Sequence, residues 1–254
     1  MKKSRFAALA LVLLLVAAAA AYAAERAFQA NPFEFDPANT RLVQSTWLPG
    51  IGCPTNARIS TDGQTTTSYA DAACPTGDRE DRSNEGLLLV KPGPTANDAS
   101  AGVQLNRVPS TVTELGYDIR KPGSTADSRG SHCGAGAPRF DIVTEDGSVF
   151  FIGCNSPPPT TQSPPGGPTG WLRLRWDAST LAFGQLGGVA TLGSLHVKEL
   201  DIVFDEGQDP SGGPDQFGAA ILDNIDVNGQ LVGQGPTEPG IQAANSDNGE
   251  GGDD

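Results

Sequence analysis

The residues best placed to do chemistry are acidic. Asp205, Glu206, Asp209 and Asp215 crowd into a stretch that also holds Gly207, Gly212 and Gly213. Hard carboxylate oxygens on a flexible backbone suit a cation such as calcium, and a solvated acidic loop is the plainer alternative. Residues 224–229 begin like an EF-hand loop. The twelfth position from Asn224 is Gly235 instead of glutamate, and 221–227 has strand character, so that motif is rejected.

A second candidate is aromatic. On an extended chain Leu172, Leu174 and Trp176 share one face while Trp171, Arg173 and Arg175 share the other. With the first set in the core, Trp171 stands exposed among arginines, where its ring can stack on the apolar face of a sugar while charged neighbours hydrogen-bond the hydroxyls. Trp47 and Tyr117 are candidates for the same role. The competing arrangement is a second layer, or a proline-rich loop, lying over Trp171.

Nucleophilic and metal-hydrolytic chemistries find little support. His132 adjoins Cys133, but neighbours on an extended chain point in opposite directions, and an oxidised cysteine is no nucleophile. Residues 130–134 read Gly-Ser-His-Cys-Gly, with serine one place away from that of a nucleophile elbow, and no His-Glu-x-x-His motif occurs. Thirty acidic residues allow a carboxylate pair for glycoside hydrolysis, but spacing in sequence does not show one. No catalytic residue is assigned.

These groups sit in a chain that reads as exported. Lys2, Lys3 and Arg5 precede an apolar run over 6–21, and Ala21-Tyr22-Ala23 supplies a small-x-small cleavage pattern, so 1–23 is expected to be a signal peptide. The apolar core is shorter than the ~20 residues a spanning helix needs, which favours removal over anchoring and a product with no stable membrane insertion. Export makes disulfides available. Cys53 and Cys74 flank a hairpin candidate, 56–61 and 65–70 around Asp62-Gly63, that sets them nearly opposite each other. Cys133 and Cys154 have the same separation and form the second expected pair, with 134–137 folding back. A zinc site is the alternative, but there is no Cys-x-x-Cys spacing and only His132 and His196 could join.

Composition bounds the fold. The chain has 254 residues with 32 glycines and 20 prolines, rich in turn formers but short of wholesale disorder. Its net charge of −13 includes the positive leader, so the exported product is more acidic still and repels nucleic acid and anionic lipid. Short β-branched and aromatic runs are separated by turn signals. Strands are read before and after the turn 36–39, over 86–91 (buried on both faces and central), 103–108, 111–120, 171–176, 198–205 and 218–227, with a short helix conceivable only in 180–200. The clearest hairpin joins 138–145 to 148–154 through Asp146-Gly147, and a two-residue turn there puts Phe140, Ile142, Val149 and Phe151 on one core face. Residues 157–170 are too proline-rich for a sheet and read as a surface loop of one domain, 24–235. The acidic segment 236–254 reads as a disordered tail. The expectation is an all-β, antiparallel β-sandwich with jelly-roll-like topology; an up-and-down barrel fits the same strands.

The segment 204–229, F-D-E-G-Q-D-P-S-G-G-P-D-Q-F-G-A-A-I-L-D-N-I-D-V-N-G, resembles the closing strands of bacterial extracellular jelly-roll domains, among them carbohydrate-binding modules and galactose-binding-like sandwiches with a D-N-[IV]-x-[VL] strand. The likeness covers about a sixth of the chain. It implies a structural calcium near Asp223 with Asp205 or Glu206. The runs Glu114-Leu115-Gly116-Tyr117-Asp118 and Gly-Ala-Pro-Arg-Phe ending at Phe140 are similar to those of uncharacterised secreted bacterial proteins. The resulting expectation is an extracellular, non-catalytic protein that binds a carbohydrate or cell-surface component. A structural or adhesive protein with a protein ligand, and a secreted polysaccharide hydrolase, are the alternatives.

Overall fold

A computed structural model describes residues 28–55, 57–60, 66–92, 95, 99–121, 138–153, 161–162, 170–205 and 218–236. Residues 1–27, Cys133, Cys154, His132, most of the proline-rich segment 157–170 and residues 237–254 lie outside them. In chain order the strands are β1 (Gln29–Phe35), β2 (Gln44–Leu48), β3 (Ala57–Ser60), β4 (Thr66–Tyr69), β5 (Gly86–Val90), β6 (Ser100–Asn106), β7 (Glu114–Arg120) and β8 (Arg139–Thr144). They continue as β9 (Val149–Gly153), β10 (Thr161–Gln162), β11 (Leu172–Asp177), β12 (Leu181–Gly184), β13 (Val189–Thr191), β14 (Val197–Phe204), β15 (Ala219–Val227) and β16 (Gln230–Val232). The conceivable helix in 180–200 resolves into β12, β13 and one 3-10 turn, Leu192–Ser194.

Two antiparallel sheets pack as a sandwich. The first has the order β1-β6-β14-β8-β9-β12-β13, and the second β10-β11-β7-β15-β5-β2 with β16 on β15; these orders do not by themselves amount to a jelly roll. Alternation decides what each sheet buries. Leu115, Tyr117 and Ile119 of β7 meet Leu172, Leu174 and Trp176 of β11, and across the sandwich Phe140, Ile142, Ile152, Leu200 and Ile202, all fully buried. The Tyr117 ring lies 5.6 Å from Phe140 and 5.4 Å from Trp176, tying the sheets together, and its hydroxyl donates to the Pro138 carbonyl at 2.5 Å. β5 runs between the edge strand β2 and β15, so it is paired on both sides without being central. Leu87 and Leu89 are buried while Leu88 and Val90 are half-buried, where burial on both faces was expected.

The β8–β9 hairpin forms where the sequence places it, but with a three-residue turn. The Thr144 amide donates to the Ser148 carbonyl at 2.9 Å and the Gly147 amide to the Thr144 carbonyl at 2.9 Å, with Gly147 at φ +83°. Such a turn combines a type I bend with a left-handed glycine. Asp146 holds it by accepting from Thr144 Oγ1 at 2.6 Å and from the Ser148 amide at 3.0 Å. The register therefore shifts by one: Phe140 faces Ile152 and Ile142 faces Phe150 in the core, while Phe151 faces Asp141 and Val149 faces Val143 on the outside. One residue of slip exchanges the faces of a strand, and the core expected at Phe151 and Val149 is corrected accordingly.

Candidate functional site

The outer face of the second sheet was expected to display Trp171 among arginines. It is covered instead. The segment between β2 and β5 folds over it, carries the β3–β4 hairpin, and is closed by the Cys53–Cys74 disulfide with Cα atoms 6.2 Å apart. Cys53, Ala73 and Cys74 pack on Trp171, which is 1 % exposed. Arg173 is committed to Asp118 through Nε and Nη2 at 2.7 and 2.8 Å, and to the hydroxyl and carbonyl of Thr76 in the cover. Arg175 pairs with Asp226 at 2.8 Å. Tyr117 lies in the core, and Trp47 is half-buried with Nε1 donating to the Ala30 carbonyl at 3.1 Å. Trp171 and Arg173 are spent on holding the cover, Arg175 on its buried pair with Asp226, and Tyr117 on the core, so the exposed platform expected at Trp171 does not form.

The closing-strand motif serves the same purpose. A bulge at Asn224, φ +45°, shifts the register between Asp223 and Asp226. Asp223 accepts from the amides of Cys53 and Asn224 at 2.6 and 2.5 Å. Asn224 accepts from the Asp78 amide and donates to Asp118, both at 2.8 Å. Burial pushes Asp223 well above the usual carboxylate range, reinforced by Asp118 and opposed by the two amides. Burial likewise raises Asp118 against the pull of Arg173 and Arg175, and lowers Arg175.

The expected calcium ligands are not brought together where they can be seen. Asp205 follows β14 in the first sheet, where both carboxylate oxygens accept from Arg139 Nη1 at 2.8 Å; Asp223 belongs to the second sheet, under the cover. Glu206, Asp209 and Asp215 lie outside the described residues. Cys53, Cys74 and Asp118 have ligand atoms within 4.8 Å of one another, but the two sulfurs are bonded to each other. A thiolate, not a disulfide, binds a metal.

The first sheet's outer face is built differently. Register partners across its seven strands align Asn31, Gln104, Asp201, Asp141, Phe151, Phe183 and Val189 in a single row. At ~4.8 Å per strand the row spans about 29 Å. It grades from two amides through two carboxylates to two aromatic rings and an aliphatic end. All seven are half-buried or exposed, Phe183 at 38 % and Val189 at 56 %. Beside the row the Phe33 ring packs against Gly102, where a Cβ would run into it, so glycine alone fits there without displacing the ring.

Arg139 organises the charges at the centre. Its Nε is 3.0 Å from Asp141, its Nη1 holds Asp205, and its guanidinium sits 5.5 Å from the Phe151 ring centre. Burial pushes Asp141 up to about 6, offset by Arg139 and reinforced by Asp205 and Asp201. Asp201 is also raised to about 6, by burial and then by Glu199. Its Oδ1 meets no hydrogen-bond donor among the described residues. This row was missed because a two-residue turn assigns Phe151 to the core. The signal lay in the turn residues, since Thr144-Glu145-Asp146-Gly147 equally fits a type I bend closed by a left-handed glycine.

A smaller concavity of about 530 Å³ lies between the cover and the β15–β16 turn, lined by Thr55, Thr76, Gly77, Asp78, Arg79, Gly229 and Leu231. The Asp78 carboxylate there is engaged by the amides of Glu80 and Gly233.

Fold and site define an antiparallel β-sandwich with one sheet face covered and one left open by the described residues. Comparison with protein-family models, with curated proteins and with solved structures finds no match. Among the described residues no helix is long and apolar enough to cross a membrane.

Proposed function

We propose that this is a secreted, non-catalytic carbohydrate-binding protein whose binding surface is the open outer face of the first sheet. The observation that supports it is the row itself: Phe151 and Phe183 on adjacent strands, continued by Asp141, Asp201, Gln104 and Asn31. Aromatic rings stack on the C–H faces of sugars, and carboxylate and amide oxygens accept from their hydroxyls. A row crossing every strand suits an extended oligosaccharide better than a compact ligand. The fixed sheet backbone presents these groups without a disorder-to-order cost on binding.

The test is a glycan array probed with the chain lacking residues 1–23, with and without EDTA. Binding to defined glycans that Phe183→Ala weakens is expected; binding to no glycan overturns the proposal. An EDTA effect would point to calcium in the acidic loop around Asp209 and Asp215.

Adhesion to another protein is the second reading, favoured by a specific feature. Leu181, Leu186 and Val189 of the β12–β13 hairpin are 44 %, 100 % and 56 % exposed, and residues 180–195 carry no Asp, Glu, Lys or Arg. Pull-down from the producing cell's envelope separates the two, since a protein partner would be lost on Leu186→Ser with glycan retention unchanged.

A further inference from the structure

Resting on the carbohydrate reading of the open face, we infer that its ligand is a cationic amino sugar, a glycan carrying free ammonium groups, which dock on Asp201 and Asp141 beside the phenylalanine rings. The argument is charge complementarity on a sheet face left open by the described residues. β8 contributes Arg139 and Asp141 to this side, β14 contributes Glu199 and Asp201, and Asp205 follows β14. From β6, β9 and β12 the row receives only Gln104, Phe151 and Phe183, which are uncharged. Arg139 is shared between Asp141 and Asp205, and Lys198 is taken by Glu199 at 3.3 Å. Four carboxylates thus face two cations, an excess of two negative charges, and Asp201 is the one with no cation paired to it among the described residues. Its Oδ1 is buried without a donor, so a ligand meets the exposed remainder of this half-buried side chain.

A neutral hydroxyl can hydrogen-bond a carboxylate but leaves the excess negative charge in place. An ammonium donates up to three hydrogen bonds and offsets one unit of the excess, and charge-assisted bonds are the stronger kind. The rings add to the same preference, because the face of a phenyl group attracts a cation. Arg139 already shows this over Phe151, and Phe183, on the next strand, is 38 % exposed. The chain's net charge of −13 draws a polycation toward it. The amides of Gln104 and Asn31 at the far end of the row favour a hydroxylated scaffold over a bare polyamine, since they offer hydrogen bonds to hydroxyls instead of charge.

The test measures the chain lacking residues 1–23 against three oligomers of equal length: chitosan, its fully N-acetylated form, and a neutral β-glucan, with polylysine as a further arm. The expected result is tighter binding to chitosan than to the acetylated form by about tenfold, the scale of one charge-assisted hydrogen bond. Added salt and Asp201→Asn should both erase that advantage, with the variant's fold checked by circular dichroism. If Asp201→Asn fails to fold, the salt series on the unaltered chain decides. Equal affinity for acetylated and deacetylated oligomers overturns the amine preference and leaves the carbohydrate reading standing. Binding to none of the glycans overturns both. Polylysine binding as tightly as chitosan overturns the sugar scaffold in favour of a generic polycation surface.

Discussion

The two outer faces of this sandwich carry the same kinds of residue to opposite ends. On the second sheet Trp171, two arginines and three aspartates are roofed by a disulfide-closed segment, and nearly every polar group there has a protein partner. On the first sheet two phenylalanines, one arginine and three aspartates have no such roof among the described residues, and Asp201 keeps a buried oxygen without a donor there. Aromatic and charged residues on a strand are therefore not a binding signature in themselves. What separates structure from site is whether other parts of the same chain satisfy them.

The contrast breaks most visibly at Arg173. Arg173→Ala leaves Asp118 buried without its bidentate partner and should lower stability by about 3–5 kcal/mol in a denaturant titration. A loss below ~1 kcal/mol would mean that the cover is not held by this pair.

Cys53→Ser with Cys74→Ser should cost about 3 kcal/mol and make Trp171 fluorescence accessible to a soluble quencher, while glycan binding is unchanged. Loss of binding in that double variant would relocate the site to the covered sheet.

On the open face the order reverses. Phe183→Ala, at a ring already 38 % exposed, should cost only ~1 kcal/mol of stability yet lower glycan affinity by a comparable or larger free energy. A variant that loses stability and keeps affinity would make Phe183 a packing residue.

The smallest effect is a pH dependence. Asp201 is raised to about 6 in the folded protein against an unfolded value near 4, so its folded form favours the proton. The stability it confers is fully present below about pH 4 and is lost as pH rises through about 6. Asp201→Asn should remove that decline and stabilise the protein at pH 7 by on the order of 1 kcal/mol, after allowance for solvent screening of a half-buried group. Thermal melts at pH 4 and pH 7 report it, and an unchanged difference between the two would place the titration elsewhere, with Asp141 next.

Much of the architecture could be read directly. Alternation along 115–119 and 172–176 marked core strands, the apolar run at 87–90 marked an interior one, and two cysteines around a hairpin marked a closed loop. The site could not, and two residues show why. Trp171 has a parity that points away from the core, but parity says nothing of what a distant segment lays on top. Phe151 was placed on the wrong face because Asp146-Gly147 closes turns of two or three residues, and one residue more inverts the strand.

The sequence by itself determined most strands, the antiparallel layering and the Cys53–Cys74 link, because these depend on periodicity and on contacts close along the chain. It did not determine β10, since Thr161–Gln162 pairs with β11 inside the 157–170 segment that proline content marked as unable to join a sheet. Only the tertiary structure decided which sheet face is covered and which row of residues is left open. That choice rests on hydrogen-bond registers and on pairs such as Asp223 with the Cys53 amide, 170 residues apart, whose partners no local pattern specifies.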